Sequence, residues 1–541
     1  MTDTALPPNA RRANTPAPAA VDVAIVGAGL GGLVAGATLA RAGRSVAVFD
    51  AHYVAGGCAT HFVRGPKARR YHFDVGLHYV GDCEPDGQIP GILRSLDASV
   101  DFVPMDQDGF DTLVFPDLEF RIPASVALYR ERLLGLFPDQ ARGIDGYLRV
   151  LSAVMRAGRT MDAQDGRIDW RGALSLARDA LPLGLHNHHT IAQLFDRVGV
   201  RDPRLRGVLL GQSGDYGLPP SRVSAMLHLG LAGHYFRGAY YPRGGGQRIA
   251  DEIALSLERA GGTIHLRRPV ERIVVRDGKA VGLRLQARGG DPPEEVSARV
   301  VLSNADLKRT LLDLVGAEHL PPSWVTRTGG MEMAAALSIT FLGVKGDLRD
   351  RGMRAANYWQ FDGYDVEDFY RHDPSGAVRP FGCYVTSASI KDPDTARHHS
   401  PEGVTNVEVM TVVPPTGRHW GVTPEEAMTW AYKDNGGYRA RKKALEDDMI
   451  ARLDRLFPGA AADLVFRETA TPVTHERYTR ASGGTGYGLA ATPGQFMKQR
   501  PGYAGPLPGL YLCGASTRAG HGVVGAMMGG RRAALRILRS A

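Results

Sequence analysis

Val21-Asp22-Val23-Ala24-Ile25-Val26-Gly27-Ala28-Gly29-Leu30-Gly31-Gly32 is the stretch whose reading decides the fold. Its first half is a short β-branched run, as expected of a strand buried in a parallel sheet. Its second half matches GxGxxG at Gly27, Gly29 and Gly32. The pattern predicts a helix through Ala42, a stop at Gly43, and a second strand, Ser45-Val46-Ala47-Val48-Phe49, ending at Asp50. Gly27 permits the tight turn, Gly29 lets the backbone approach a pyrophosphate, and Gly32 lets the helix pack closely on the sheet. The helix N-terminus offers free N–H groups to phosphates, and Asp50, 23 residues after Gly27, can accept from a ribose hydroxyl. A lone GxGxxG is weak evidence. Here strand, helix, second strand and terminal acid stand in register, which defines a dinucleotide-binding unit.

The same unit disposes of a membrane span. Residues 23–40 run for 18 positions without a charge, barely enough to cross a bilayer, and five of them are glycine. Over all 541 residues, 43% are apolar and 23% charged, so wholesale disorder is excluded. The 67 glycines follow no Gly-X-Y period, which excludes collagen and points to tight turns and ligand loops. The net charge is +8 with only nine lysines, so arginine carries the basicity. Those arginines are dispersed and no nucleic-acid motif accompanies them; an anionic membrane surface is the better partner for such a charge. Residues 1–20, rich in Pro and Ala, read as a disordered leader rather than an export signal. Cys58, Cys83, Cys383 and Cys513 lie far apart and form no CxxC pair. This argues against a zinc site or disulfide scaffold and fits the reducing cytoplasm, with the inner membrane face as the surface to be met. His186, His188 and His189 cluster in sequence, but no neighbouring Cys or acid completes a metal set, and no metal is expected.

Beyond Asp50 come Gly56-Gly57-Cys58-Ala59-Thr60-His61-Phe62 and Phe73-Asp74-Val75-Gly76-Leu77-His78-Tyr79. GxGxxG, an acid and a following GG pair resemble the FAD-binding half of the amine-oxidase and phytoene-desaturase superfamily. The resemblance implies that Gly56, Gly57 and Cys58 lie along the diphosphate and ribityl chain of FAD. Near the C-terminus Gly520-His521-Gly522-Val523-Val524-Gly525 also fits GxGxxG, after the strand Gly509-Leu510-Tyr511-Leu512-Cys513. The chain ends at Ala541 with no second strand and no ribose acid, so a second nucleotide site is rejected. The stretch instead resembles the C-terminal flavin motif of the superfamily. There Gly514 begins a loop, and the helix after Gly525 points its N-terminus at the flavin, where its dipole favours negative charge.

Between these ends, Tyr240-Tyr241-Pro242-Arg243-Gly244-Gly245-Gly246 leads into an amphipathic helix over 247–260. Strands follow at 263–266, 270–276, 280–286 and 296–302, with a hairpin turn at Asp277-Gly278. The resemblance implies that Val270 holds the adenine with its backbone and that Ser303-Asn304-Ala305 returns the chain to the flavin. The expected architecture is α/β: a two-dinucleotide-binding-type Rossmann FAD domain assembled from 21–90, 240–310 and 500–541. Residues 91–239 and 311–499 would form an inserted mixed-sheet and helical substrate domain. Helices dominate 124–235, strands reappear over 329–415, and a long helical stretch over 424–456 breaks at Gly436-Gly437.

Gly214-Asp215-Tyr216-Gly217-Leu218-Pro219-Pro220-Ser221, His234-Tyr235 and Tyr240–Gly245 look like retinol saturases and their bacterial relatives. Phytoene desaturases and carotenoid isomerases are similar over nearly the full length, including Thr474-His475-Glu476-Arg477-Tyr478. The resemblance implies an FAD-dependent oxidoreductase that saturates, desaturates or isomerises carbon–carbon bonds of a lipophilic carotenoid or retinoid held in an apolar tunnel. Two alternatives stand beside it: a flavin amine oxidase, and a prenyl-protein escort of the same fold without catalysis. The electron donor or acceptor stays open. Three residues are candidates for chemistry. His78 either borders flavin and substrate or is hydrogen-bonded within the fold; His521 either acts in the flavin-facing loop or lines it; Arg243 either anchors a loop near the flavin or lies on the surface.

Overall fold

The structure, a computed structural model, describes residues 12–66, 69–163, 183–287, 292–372, 378–417 and 419–540. The strand Ala20–Val26, buried from Val23 onward, pairs in parallel with Val46–Phe49 on one side and Glu295–Ser303 on the other. Thr263–His265 extends the parallel set beyond Val46–Phe49. The hairpin of Val270–Arg276 and Lys279–Leu285 joins the first half of Glu295–Ser303 antiparallel, while Leu510–Leu512 pairs in parallel with its second half. The hairpin turns at Asp277-Gly278, both with positive φ, as a type I′ turn demands. One sheet thus collects strands from three distant stretches of chain. Its first helix, Leu30–Arg41, is buried almost throughout because Gln247–Arg259 and the last helix, Gly522–Ser540, both pack upon it.

A second seven-stranded sheet runs in the order Leu464–Ala470, Ala336–Lys345, Val404–Val413, Gly382–Thr386, Asn357–Phe361, Asp111–Phe115, Leu118–Ile122. It is antiparallel except where Asn357–Phe361 meets Asp111–Phe115. Period-two alternation divides its side chains between two cores. Ile339, Phe341, Met410 and Val412 face a layer that includes the helices Val126–Leu136, Ile191–Val198 and Ala225–Tyr235. Leu342, Val344, Val407 and Val409 face the helix Gly436–Leu456.

Two sequence expectations are corrected. Residues 12–20 are not a free leader: Arg12 is buried, its guanidinium donates to both carboxylate oxygens of Glu258 (2.8 and 3.0 Å), and Ala20 already belongs to the first strand. The stretch over 424–456 breaks earlier and more widely than at the Gly pair: a short helix, Pro424–Met428, and a 3-10 turn, Ala431–Asp434, precede Asn435, whose side chain accepts from Tyr438 N–H (3.0 Å) and caps a helix beginning at Gly436. The Gly pair is the first turn of that helix, where the cap offsets its poor helix propensity.

Candidate active site

The turn after the first strand is shaped by what side chains would hit. A Cβ on Gly32 would lie 2.1 Å from the Gly27 carbonyl oxygen, so the helix can start this close to the turn only as glycine. Gly56 and Gly57 dock against the same loop. Gly56 N–H donates to Ala28 O (2.8 Å); Gly57 has a φ of +61°, and a Cβ there would lie 3.0 Å from Gly29 Cα. Asn304 sits among these loops: its Nδ2 lies 2.8 Å from where a Gly29 Cβ would be, and its Oδ1 accepts from Cys513 Sγ (3.5 Å), one residue before Gly514. The Asp50 carboxylate accepts from Ala28 N–H (2.6 Å) and His52 N–H (2.7 Å), tying the glycine turn to the end of the second strand. Val270 opens its strand, buried and in register with Leu285. Gly525 lies in the first turn of the last helix, where a Cβ would meet Gly520 O at 2.7 Å.

Between this domain and the second sheet lies a cavity of about 820 Å³. Gly57, Cys58, His521 and Gly525 line it from the first domain, Ile339, Trp359 and Tyr384 from the second sheet, and Met155, Met226 and Leu231 from the helical layer. Cys58 presents its thiol to this enclosed space, 3.9 Å from His475 Nε2, and burial pushes the thiol up to about 11. His521 is half-buried, and its two ring nitrogens are buried without a partner among the described residues; desolvation, with Arg500 nearby, holds it down near 3, so its ring is neutral. It packs edge-on to Tyr487 (5.4 Å), whose hydroxyl donates to Gly214 O (2.6 Å), the residue before Asp215. Asp215 also lines the cavity.

From the cavity wall, where His78, Tyr79 and Asp215 stand, a polar chain runs inward. His78 Nδ1 donates to Glu408 Oε2 (2.8 Å), and its Nε2 is buried without a partner. Glu408 Oε1 accepts from Asp74 N–H (2.9 Å); Asp74 in turn accepts from Gly246 N–H (3.0 Å) and from Tyr241 OH. Lys391 Nζ donates to His78 O and to Thr386 Oγ1 (2.6 Å), and burial lowers it to about 8. Further along, Tyr79 OH stands 2.5 Å from Asp215 Oδ2 and 3.1 Å from Asp111 Oδ2. One hydroxyl hydrogen cannot serve two carboxylates, so one of the two acids must itself bring a proton. Asp111 also accepts from Gln212 Nε2 (2.7 Å) and Asn357 Nδ2 (2.9 Å), which favours its charged form. Among the described residues Asp215 has no such donors. Burial raises it well above its ordinary value and Asp111 next to it adds to the shift, whereas Asp111 rises to about 6. Of the two acids, Asp215 is the one whose surroundings favour the protonated form.

A profile of the family described as flavin containing amine oxidoreductase matches residues 30–538. The chain belongs to that family. It is an FAD-dependent oxidoreductase. The all-trans-retinol 13,14-reductase of Danio rerio is 26% identical, over 92% of this chain and 86% of its own. The chloroplastic prolycopene isomerase of Daucus carota is 25% identical, over 95% and 80%. An oxidoreductase from Methanosarcina mazei has the same fold, with a TM-score of 0.60, 18% identity, and coverage of 96% of this chain and all of that one.

The residues present fit FAD. The loops around Gly29, Gly57 and Gly514 approach closely with the Asn304 amide among them, so that glycine backbone is left to face a diphosphate, and the half-buried His521 brings its two ring nitrogens to the cavity. Arg243 does not join them. Its guanidinium is held by Asp394 (2.7 Å) and Asp392 (3.6 Å), and it is not among the residues lining the cavity. The glycine-rich setting that made it a candidate builds instead a loop whose Gly244 N–H donates to Asp392 (2.7 Å). The sequence reading passed over Asn304, Glu408, Lys391 and Tyr79 as single residues, and Asp215 as part of a motif without a role. A lone acid or lysine inside an apolar run, such as Glu408 between Val407 and Val409, is the signal that finds such groups, because buried charges need partners.

Proposed function

We propose that this enzyme reduces carbon–carbon double bonds of a retinoid- or carotenoid-like polyene. FAD would be held across Gly27, Gly29, Gly32, Asp50, Gly56, Gly57, Cys58, Val270, Gly514 and Gly525. The observation that carries the reading is a largely apolar cavity with Asp215 in its wall, hydrogen-bonded to Tyr79 and placed where burial favours the neutral acid. A polyene has no charge to recognise, so apolar walls hold it and orient one bond. When bound, FAD supplies an electron pair together with one hydrogen. The other carbon of the bond must receive a proton, and Asp215 is the group placed to give it. Tyr79 and Asp111 stand behind Asp215 as the route by which it is reprotonated. His78, anchored by Glu408, shapes the same wall, and neutral His521 borders the first-domain end. The names of the retinol reductase and the prolycopene isomerase support the substrate class.

Anaerobic stopped-flow mixing of photoreduced enzyme with retinoids and carotenoids tests this. Reoxidation of the flavin by a polyene, with a product two hydrogens heavier, is the expected result. If no polyene reoxidises it while an amine rapidly reduces the oxidised enzyme, the amine-oxidase reading replaces this one.

We further propose that the enzyme docks on an anionic membrane surface to meet its substrate. Among the described residues no helix is long and apolar enough to cross a membrane. One rim of the cavity carries Trp430, 44% exposed, with Lys433 over its ring (4.1 Å), Arg477 beside it (4.8 Å) and Tyr478 edge-on (5.8 Å). Aromatic rings flanked by cations suit the headgroup layer. The protein is expected to float with anionic liposomes at low salt and to be released at high salt; failure to float at low salt contradicts the idea.

A further inference from the structure

Away from the acid–tyrosine chain, three histidines converge from two distant parts of the sequence. His61 and His72 lie on the paired strands His61–Arg64 and Tyr71–Asp74, whose register sets Val63 opposite His72 and His61 opposite Asp74. His398 reaches the same hairpin from the short helix Ala396–His399. One ring nitrogen from each of the three lies within 4.8 Å of the other two. The rings themselves crowd, with centroids 5.0 Å apart for His61 and His72, 4.3 Å for His72 and His398, and 5.9 Å for His61 and His398. No stacked pair or hydrogen bond among them accounts for that convergence. Indeed, His61 Nδ1 and His72 Nδ1 are both buried without a hydrogen-bond partner among the described residues.

We propose that His61, His72 and His398 bind one zinc-class divalent cation, which fastens the 396–399 helix to the 61–74 hairpin. The ligand chemistry is right for it. Three imidazoles without a carboxylate select zinc, copper or nickel over magnesium or calcium, whose sites are built from oxygen. Tetrahedral zinc at its usual bond length spaces imidazole nitrogens roughly 3.4 Å apart, so small ring rotations bring these three into range.

The place gives the site a consequence. His61 lines the cavity, and its strand begins immediately after the Cys58–Thr60 turn. The helix carrying His398 is already held from its other side, where His399 Nε2 donates to Asp392 (3.2 Å), the residue that also receives Gly244 N–H. A cation on the hairpin side completes the clamp, so the wall beside the glycine loops becomes part of one rigid unit. Both strands of the hairpin and the helix contribute, which is why ligands 337 positions apart can serve one ion.

Tag-free, FAD-loaded protein, stripped with a chelator and dialysed, is titrated with zinc chloride by calorimetry, and in parallel with cobalt(II). One zinc per chain is expected, with visible cobalt bands of four-coordinate nitrogen ligation and a zinc-dependent rise in the thermal midpoint. His72→Ala and His398→Ala should each weaken zinc binding about tenfold or more, and His398→Ala should abolish the thermal shift. His398 is exposed, so its variant folds. His189→Ala, in the sequence-local cluster where His186 and His189 lie 3.3 Å apart, should change nothing. Absence of saturable zinc binding, equal affinity in the His72 and His398 variants, or loss of binding on His189→Ala overturns the proposal.

Discussion

Gly29→Val is expected to give a folded protein that retains no FAD. Gly29 is the N-cap of the first helix, with extended backbone angles, so valine strains no dihedral there. The cost lies in what its side chain occupies. The Cβ would stand 2.8 Å from Asn304 Nδ2 and face Gly57 Cα at 3.9 Å. Asn304 can swing its amide aside, so the fold survives. The two γ-methyls then fill the gap between the glycine loops, where the helix N-terminus presents its free N–H groups. A diphosphate and an isopropyl group cannot share that space. Flavin absorbance per mole of protein after desalting, beside the far-UV circular dichroism, measures the outcome. Full flavin content in a folded variant would mean that the diphosphate lies elsewhere.

That site was legible because it is written in one continuous stretch. Turn, helix start and terminal acid within 30 residues obey local rules, and the glycines act through their immediate neighbours. The neighbouring hairpin could be read for the same reason, from the Asp-Gly turn between its two strands, whereas the register shifts after Val270 and Val274 carry no local signal. What escaped was non-local. Residues 12–20 carry the Pro and Ala of a free leader, whereas the buried Arg12 is held by Glu258, 246 positions away. Arg243 stands among glycines as a ligand-loop cation would, yet its partners Asp392 and Asp394 come from a distant part of the chain, Asp394 lying 151 positions on. His78 was visible as a candidate, but its pairing with Glu408 bridges 330 residues. The His61–His72–His398 group could not be found by spacing, because spacing detects ligands on one helix or loop and these come from a hairpin and a separate helix.

Asp215→Asn is expected to retain FAD and stability while slowing polyene reduction by about 10²- to 10⁴-fold, the usual reach of a positioned acid. The substitution is chosen for what it leaves alone. Burial favours the neutral form of Asp215, so asparagine of the same shape neither strands a charge nor removes one from Tyr79, and its amide can donate to the tyrosine oxygen. Only the transferable proton is lost. The deficit should therefore fall on kcat with KM nearly unchanged, because an apolar cavity binds the polyene with or without the acid. Sign and direction follow for pH as well. A donor must be protonated, so wild-type turnover should hold through neutrality and fall as pH rises past the elevated ionisation of Asp215, while the variant loses that alkaline limb. A solvent deuterium isotope effect should likewise accompany the wild-type reaction and shrink in the variant. If Asp215→Asn instead lowers the melting point sharply with kcat intact, the acid is a structural partner of Tyr79, and the proton reaches the polyene from another group.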